Sequence, residues 1–160
     1  EGEPAVRTEL KLLPAGPDDY PALAEIGRRA FESDRRAFGH GPEIYENPAF
    51  LLPLLEAGDG AVRKLTVDGR PIGVIVTFEQ TPAARWLGCF CLLPEWQGRG
   101  YGFRALELIE RAYPRVNQWG LDTPADKTCN LRFYRKAGYR VVGEHEIPGG
   151  PKLAVLEKRI

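Results

Sequence analysis

The sequence has 160 residues, of which 43% are hydrophobic, and its 22 basic side chains are balanced by 22 acidic ones. This length predicts one domain over residues 1–160 with a full core, and it is too short to predict two. A zero net charge argues against nucleic acid or an anionic membrane as a partner, and no apolar run approaches the ~18 residues of a membrane span.

Cysteine and histidine content indicates the compartment and argues against a metal site. Cys89, Cys91 and Cys129 fit a reducing environment, and no segment reads as a secretory signal, so we expect a cytoplasmic protein. Zinc usually takes four ligands, which three cysteines and two distant histidines supply poorly, so no metal is expected. Because the sequence contains no methionine, we expect Glu1 to follow a trimmed or missing terminus.

The first half of the chain predicts a strand, two helices and three further strands. Alternating apolar residues indicate the first strand, and apolar residues at helical spacing indicate a helix that opens at Pro17. These residues are Val6, Thr8, Leu10 and Leu12 in the strand, and Tyr20, Leu23, Ile26 and Phe31 in the helix. A second helix is predicted from Asn47-Pro48 to Gly58.

Strands are predicted next over 61–67, 72–79 and 84–93, the first two joined by the strong hairpin signal Asp68-Gly69. The second half then alternates. A helix runs to about Arg111, a strand covers 116–122, and a helix capped by Asp126 extends to Ala137 with Gly138 as its left-handed C-terminal cap. The strands 139–147 and 152–160 form a closing hairpin around Pro148-Gly149-Gly150.

A glycine-rich turn lies between the third of these strands and the helix that follows it. Gly98, Gly100 and Gly102 alternate along it, so the backbone can turn tightly with nothing projecting. Amides at the start of the helix can then converge on an anion, which indicates a phosphorylated ligand. Phe103 stands where a dinucleotide fingerprint needs its third glycine, and no Gly-Lys-Ser/Thr of a P-loop occurs.

Two segments resemble motifs of the GNAT superfamily of acyl-CoA N-acyltransferases. Gln97-x-x-Gly100-x-Gly102 resembles its pyrophosphate-binding motif, which follows a strand. About thirty residues on, the stretch from Asn130 through Phe133-Tyr134 to Gly138-Tyr139 resembles its second recurrent segment. Two motifs in the right order and spacing are far harder to meet by chance than one.

The resemblance implies a fold and a cosubstrate. The fold is a single-domain α/β architecture in the order βααβββαβαββ, a mixed sheet of about seven strands flanked by helices on both faces. The cosubstrate is acetyl-CoA. The turn would hold its pyrophosphate, the backbone of the preceding strand would pair with its pantetheine arm, and two residues of the later helix would contact the cosubstrate. These residues are Gln97, Gly98, Arg99, Gly100, Tyr101, Gly102 and Phe103 in the turn, Cys91, Leu92 and Leu93 in the strand, and Asn130 with Tyr134 in the helix.

By the same resemblance, an amine attacks the thioester directly, the Leu92 amide stabilises the oxyanion, and the Tyr134 hydroxyl serves as general acid toward sulfur. The alternative for Tyr134 is a buried aromatic packed beside Phe133. Adjacent helical residues face different directions, and this favours the functional role. For Asn130 the alternative is a surface residue of the first turn, and for Arg99 a solvated loop cation.

The general base stays open, because the strand before the turn carries no carboxylate where many members place a glutamate. Glu79, Asp122, His145 or a water chain remain as candidates. Cys89 or Cys91 as an acyl-carrying nucleophile is weaker, since no histidine is near in sequence.

The resemblance also implies that the acceptor enters between residues 32–46 and 144–152, where mixed charge does not distinguish a small molecule from a peptide amine. Trp86, Trp96 and Trp119 are candidates for an aromatic site. An N-acetyltransferase is the first hypothesis, a homodimer is left open, and a catalytically silent acyl-CoA-binding sensor is the alternative.

Overall fold

The computed structural model describes residues 9–32, 36 and 48–160. Val6, Thr8 and most of the predicted acceptor stretch 32–46 therefore lie outside the described residues. Within them the elements are β1 (Leu10–Pro14), a 3₁₀ turn (Pro17–Asp19), α1 (Tyr20–Ala30), α2 (Pro48–Ala57), β2 (Val62–Val67), β3 (Arg70–Thr81), β4 (Ala84–Leu92), a 3₁₀ turn (Pro94–Trp96), α3 (Tyr101–Ala112), β5 (Gln118–Pro124), α4 (Thr128–Lys136), β6 (Arg140–Glu146) and β7 (Lys152–Arg159).

The predicted order βααβββαβαββ is confirmed for the described residues, and the seven strands form one mixed sheet in the order β1-β2-β3-β4-β5-β7-β6. Only the β4–β5 pair is parallel among them. The hairpin predicted at Asp68-Gly69 is present, with both residues at positive φ (52° and 77°), as a tight hairpin turn requires.

Two apolar clusters cover the two faces of the sheet, as predicted. Leu23 and Ile26 of α1 and Leu51 of α2 pack with Val74 and Val76 on one face. We call this the α1/α2 face. The second cluster, on the α3/α4 face, joins α3 and α4 to the other side of the strands through residues such as Ala105, Ile109, Tyr134, Trp119 and Leu121. No described helix is long and apolar enough to cross a membrane.

Two local expectations are corrected by the structure. Pro17 opens a 3₁₀ turn, and the α-helix begins at Tyr20. The N-terminal cap of α4 is Lys127, with no capping side-chain hydrogen bond, so Asp126 does not cap this helix. The first turn of α4 is closed by a backbone hydrogen bond, in which the amide of Leu131 donates to the Lys127 carbonyl at 3.2 Å.

Strands β3 and β4 approach closely at Gly73. A Cβ there would lie 2.6 Å from the Cys91 carbonyl oxygen and 2.6 Å from Leu92 Cδ2, distances that no real Cβ tolerates. The absence of a side chain at Gly73 therefore sets the position of the end of β4, which leads into the glycine turn.

We predict that Gly73→Ala lowers the free energy of unfolding by about 1–3 kcal/mol, because the backbone oxygen of Cys91 must move to admit a methyl group. Urea unfolding followed by circular dichroism measures this. Gly143→Ala is the matched control in a strand, since a Cβ at Gly143 would have nothing within 4 Å, and we expect a change within about 0.5 kcal/mol. Equal effects of the two substitutions would contradict the close approach at Gly73.

Candidate active site

Strands β4 and β5 pair over only a short stretch and then separate. Their parallel register is Ala84↔Gln118, Arg85↔Trp119 and Trp86↔Gly120, although β4 continues to Leu92 and β5 to Pro124. Just past this stretch β4 carries a bulge at Gly88, because Val76 of β3 lies opposite Cys89 while Thr77 lies opposite Leu87. A bulge bends its strand and ends regular pairing, so the second half of β4 has an open edge toward β5.

The backbone of Leu92 faces this open edge. The amide of Leu93 donates to the Ile72 carbonyl of β3 at 2.8 Å. Because successive amides of a strand point to opposite sides, the Leu92 amide points away from β3. Of the three residues predicted to pair with pantetheine, only Leu92 therefore turns its backbone outward, whereas Cys91 and Leu93 are directed toward β3.

The Leu92 carbonyl on the same side accepts a hydrogen bond from Gln97 Nε2 at 2.9 Å. The glutamine of the first motif thus connects the glycine turn to the end of the strand. The Nε2 of Gln97 is therefore bonded within the protein in this structure.

The glycine turn is bare, and it ends at a helix N-terminus. Gly98 and Gly100 have φ of 73° and 85°, in the left-handed region that favours glycine, and nothing lies within 4 Å of a Cβ at either. Gly100 is the N-terminal cap of α3, and the first helical bond runs from the Arg104 amide to its carbonyl at 3.3 Å. The amides before Arg104 have no helical acceptor and lie at the positive end of the dipole. This arrangement fits a pyrophosphate.

Gly102 differs from Gly98 and Gly100 because it is required for helix packing and not for a left-handed turn. A Cβ on it would lie 2.8 Å from the Phe133 ring, so this glycine lets α3 and α4 approach. The Phe133 ring also contacts Phe103, at 4.8 Å between centroids, and Phe90, at 6.2 Å. These rings form the apolar wall between β4, α3 and α4.

Side chains beside the turn anchor it to its surroundings. The Arg99 guanidinium lies over the Trp96 ring at 5.2 Å, and Trp96 packs edge-on against Tyr101 at 5.4 Å. Glu95 forms a two-pronged ion pair with Arg29 of α1, at 2.9 and 2.6 Å. Arg99 is exposed, so its charge is available to a ligand in the turn.

Tyr134 is buried, and its ring is held by a helix-ending motif. The Tyr139 amide donates to the Tyr134 carbonyl at 2.9 Å and the Gly138 amide to the Arg135 carbonyl at 3.1 Å. These two bonds define a Schellman motif, which Gly138 permits with φ of 102°. The predicted C-terminal cap is therefore confirmed, and the motif brings the Tyr139 ring to 5.6 Å from that of Tyr134.

Phe133 also touches Tyr134, with centroids 5.0 Å apart in an edge contact. The expectation that the two adjacent rings face different directions is wrong, because both belong to the core on the α3/α4 face. Burial raises the pKa of the Tyr134 hydroxyl far above its ordinary value, and Tyr139, Cys89 and Cys91 nearby add to the increase. Tyr134 is therefore fully protonated at neutral pH, and its burial disfavours the phenolate.

Asn130 is placed on the β5 side of α4. Its Nδ2 donates to Oγ1 of Thr123 at 3.0 Å, and Thr123 is buried at the end of β5. Asn130 is therefore more than a surface residue of the first helical turn. Its bond to Thr123 joins α4, which carries Tyr134, to β5.

Two of the three protein candidates for the general base lie together. His145 Nε2 and Asp122 Oδ2 are 3.3 Å apart. They stand on β6 and β5 with β7 between them, since Asp122 lies opposite Val155 and His145 opposite Leu153. Their side chains are 48% and 35% exposed, respectively, so the pair is accessible.

Asp122 projects from the α1/α2 face, because it alternates with Trp119 and Leu121, which belong to the core of the other face. Glu79 lies opposite Arg85, whose side chain bonds Thr77 Oγ1 at 2.9 Å on the α3/α4 face. Glu79 is therefore on the other side of the sheet from Asp122 and His145.

Sequence reasoning missed the bulge at Gly88, whose Cβ would lie 2.5 Å from the Phe78 ring. A glycine inside a strand pattern is the signal that could have identified it. The contact between Asp122 and His145 had no sequence signal, because it depends on β7 lying between β5 and β6. No cluster of three or more metal-ligating side chains occurs in the described part of the chain.

A bare turn at a helix N-terminus, an outward amide on a parted strand and a buried phenol are the features that the GNAT resemblance predicts for an acyl-CoA site. The family model described as acetyltransferase (GNAT) domain matches residues 61–141, just over half of the chain. The protein therefore belongs to the GNAT acetyltransferase family. A search of curated proteins finds none that matches the sequence.

Solved structures share the fold. An acetyltransferase from Thermus thermophilus superimposes with a TM-score of 0.78 at 22% identity, covering 94% of this chain and 97% of that one. PaiA N-acetyltransferase from Thermoplasma acidophilum, in complex with coenzyme A, gives 0.77 at 17% identity over 95% and 99%. The ribosomal-protein-S18-alanine N-acetyltransferase from Escherichia coli gives 0.71 at 17% over 95% and 94%.

We predict that the protein loses stability above about pH 10, the ordinary pKa of tyrosine. Burial raises the pKa of both Tyr134 and Tyr139, so the folded chain holds their protons more tightly than the unfolded chain. Unfolding then releases protons, and the free energy of unfolding falls as pH rises. Urea unfolding from about pH 8 to about pH 11 measures this slope, and Tyr134→Phe should make it shallower. An unchanged slope in that variant would contradict a buried, protonated Tyr134.

Proposed function

We propose that the protein is an acetyl-CoA-dependent N-acetyltransferase that moves an acetyl group to a primary amine of a small molecule or protein by direct attack on the thioester. The observation that carries the proposal is the outward-facing Leu92 amide at the open edge of β4, with buried Tyr134 on the adjoining helix and the bare glycine turn at its end. Membership of the GNAT family and the coenzyme A bound to PaiA N-acetyltransferase support the same cosubstrate.

In this proposal the residues from Gly98 to Phe103 hold the pyrophosphate through backbone amides, and Arg99 adds a charge. The open edge of β4 accepts the pantetheine arm at Leu92, and Asn130 lies on the facing side, held by Thr123. Acetyl-CoA supplies an activated acetyl group. The role of Gln97 is to fix the strand end relative to the turn through the Leu92 carbonyl.

Three groups of the chain then act on the reaction. The Leu92 amide donates to the carbonyl oxygen as negative charge develops there. The Tyr134 hydroxyl, which is protonated at neutral pH, gives a proton to the departing sulfur. The acceptor amine must be neutral to attack, and we assign its deprotonation to Asp122 together with His145.

The same pair favours an enzyme over a silent acyl-CoA sensor. The sensor hypothesis came from the absence of a carboxylate on β4. Asp122 places a carboxylate on the neighbouring strand β5, with an imidazole 3.3 Å away, and both are accessible. A binding module has no need of such an arrangement.

We also propose that residues 1–160 form one catalytic domain that works in the cytoplasm. Neither Cys89, Cys91 nor Cys129 forms a disulfide, which suits a reducing compartment.

We predict that Tyr134→Phe lowers the rate of acetyl transfer about 100-fold or more, because it removes the proton for the leaving sulfur. The assay measures thiol release from acetyl-CoA with a panel of primary amines. Tyr20→Phe, a half-buried tyrosine of α1, is the matched control and should leave the rate unchanged.

Binding is measured in parallel by thermal unfolding, where CoA at about 100 times its Kd adds roughly 2.7 kcal/mol. Tyr134→Phe should retain this stabilisation, so that a lost rate with retained binding identifies a chemical role. No stabilisation of the unmodified protein by CoA would rule out the proposed function, and full activity of Tyr134→Phe would remove this hydroxyl from the mechanism.

We predict that Asp122→Asn and His145→Gln each lower kcat/KM about 100-fold at neutral pH, and that the double variant loses little more than the worse single one. Raising the pH should restore part of the rate, because an amine with a pKa of about 10.4 becomes neutral without a base. Glu79→Gln is the control, since Glu79 lies on the other face. Independent, additive losses would show that the two residues do not act as a pair.

A further inference from the structure

Next to the Asp122–His145 pair, the α1/α2 face of the sheet carries two aromatic rings that neither core cluster includes. Phe78 of β3 and Trp86 of β4 are cross-strand partners, and Trp86 is paired with Gly120 of β5. Phe78 is 37% exposed and Trp86 is half-buried. This face therefore offers an apolar aromatic surface and, close to it, an accessible carboxylate.

Gly120 determines how Trp86 lies. A Cβ on Gly120 would be 2.9 Å from Cε3 and 3.0 Å from Cζ3 of the indole. The indole therefore rests directly on the β5 backbone in the space that a side chain would fill. The Cε3–Cζ3 edge of the indole is covered by the strand, and the side chain as a whole remains half-buried.

Asp122 follows Gly120 by two residues, so both project from the same face at a spacing of about 6.6 Å along the strand. Because the indole rests at Gly120, the Trp86 ring and the Asp122 carboxylate lie on one face about two residues apart along β5, a spacing on the scale of a short aliphatic linker. Beyond Asp122, Val155 and then His145 continue the same face. An apolar ring would lie on Trp86 and Phe78 while an ammonium group reaches Asp122.

We propose that the acceptor is a small primary amine that carries an aromatic ring on a linker of about two carbons. The proposal rests on the N-acetyltransferase function and specifies its acceptor. Charge complementarity selects the cationic amine, because Asp122 is the carboxylate at that end. The rings of Phe78 and Trp86 favour an aromatic group on the remainder of the acceptor, since aromatic contacts and apolar burial both stabilise a flat ring there. Proton transfer from the ammonium to the Asp122–His145 pair then leaves the neutral amine beside the open edge of β4.

The test compares 2-phenylethylamine with ethylamine, which has the same amine without the ring. We expect kcat/KM to be at least about 10-fold higher for 2-phenylethylamine. Trp86→Leu should abolish most of this ratio while leaving the KM for acetyl-CoA unchanged. Gly120→Ala should have the same effect, because the added methyl displaces the indole, and it serves where Trp86→Leu fails to fold. Phe50→Leu, an exposed aromatic of α2 that is 47% exposed, is the matched control and should keep the ratio.

Ligand-observed NMR of 2-phenylethylamine binding separates this inference from the proposed function. Binding that depends on Trp86 without any acetylation would overturn the N-acetyltransferase function and leave the aromatic amine site. Acetylation with equal kcat/KM for the two amines, acetylation of peptides only, or a preference that survives both Trp86→Leu and Gly120→Ala would overturn the inference.

Discussion

The parting of β4 from β5 is the constraint on which the remainder of the site depends. Parallel pairing holds for three residue pairs and stops at Trp86, directly before the bulge at Gly88. A continuous ladder would use the hydrogen-bonding groups that the second half of β4, Leu92 among them, turns toward β5. Because the pairing stops, hydrogen-bonding groups of a central strand become available to a ligand in the interior of a sheet, where they are normally consumed.

Close packing at glycines maintains that opening. The absence of a side chain at Gly73 lets the end of β4 pack closely on β3. In the same way Phe133 packs on α3 at Gly102, and the Trp86 indole packs on β5 at Gly120. At each position a methyl group would collide with backbone or ring atoms, so the layers on both sides of the parted strands are fixed by contact. The Schellman motif at Gly138 extends this fixation to the Tyr134 ring through Tyr139.

The fold could be predicted from the sequence because its signals are local. Asp68-Gly69 specifies its turn within four residues, the glycine-rich turn marks a strand-to-helix junction, and Gly138 ends α4 by its own backbone geometry. The predicted N-terminal cap at Asp126 was wrong, because an aspartate near a helix start does not by itself determine which residue caps the helix. Here the cap position is occupied by Lys127. Phe133 and Tyr134 misled because two neighbouring helical residues can both reach one core when they are large.

The pairing of Asp122 with His145 could not be read from the sequence, since each residue alone is an ordinary polar position in a strand. The two residues lie on the strands that flank β7, and their side chains meet across it. This neighbourhood cannot be read from the chain order, because β7 follows β6 in the chain but lies between β5 and β6 in the sheet. The contact between the two side chains therefore depends on β7, which holds β5 and β6 one strand apart. A substitution that disturbs β7 would thus alter the geometry of the candidate base without changing either of its two side chains.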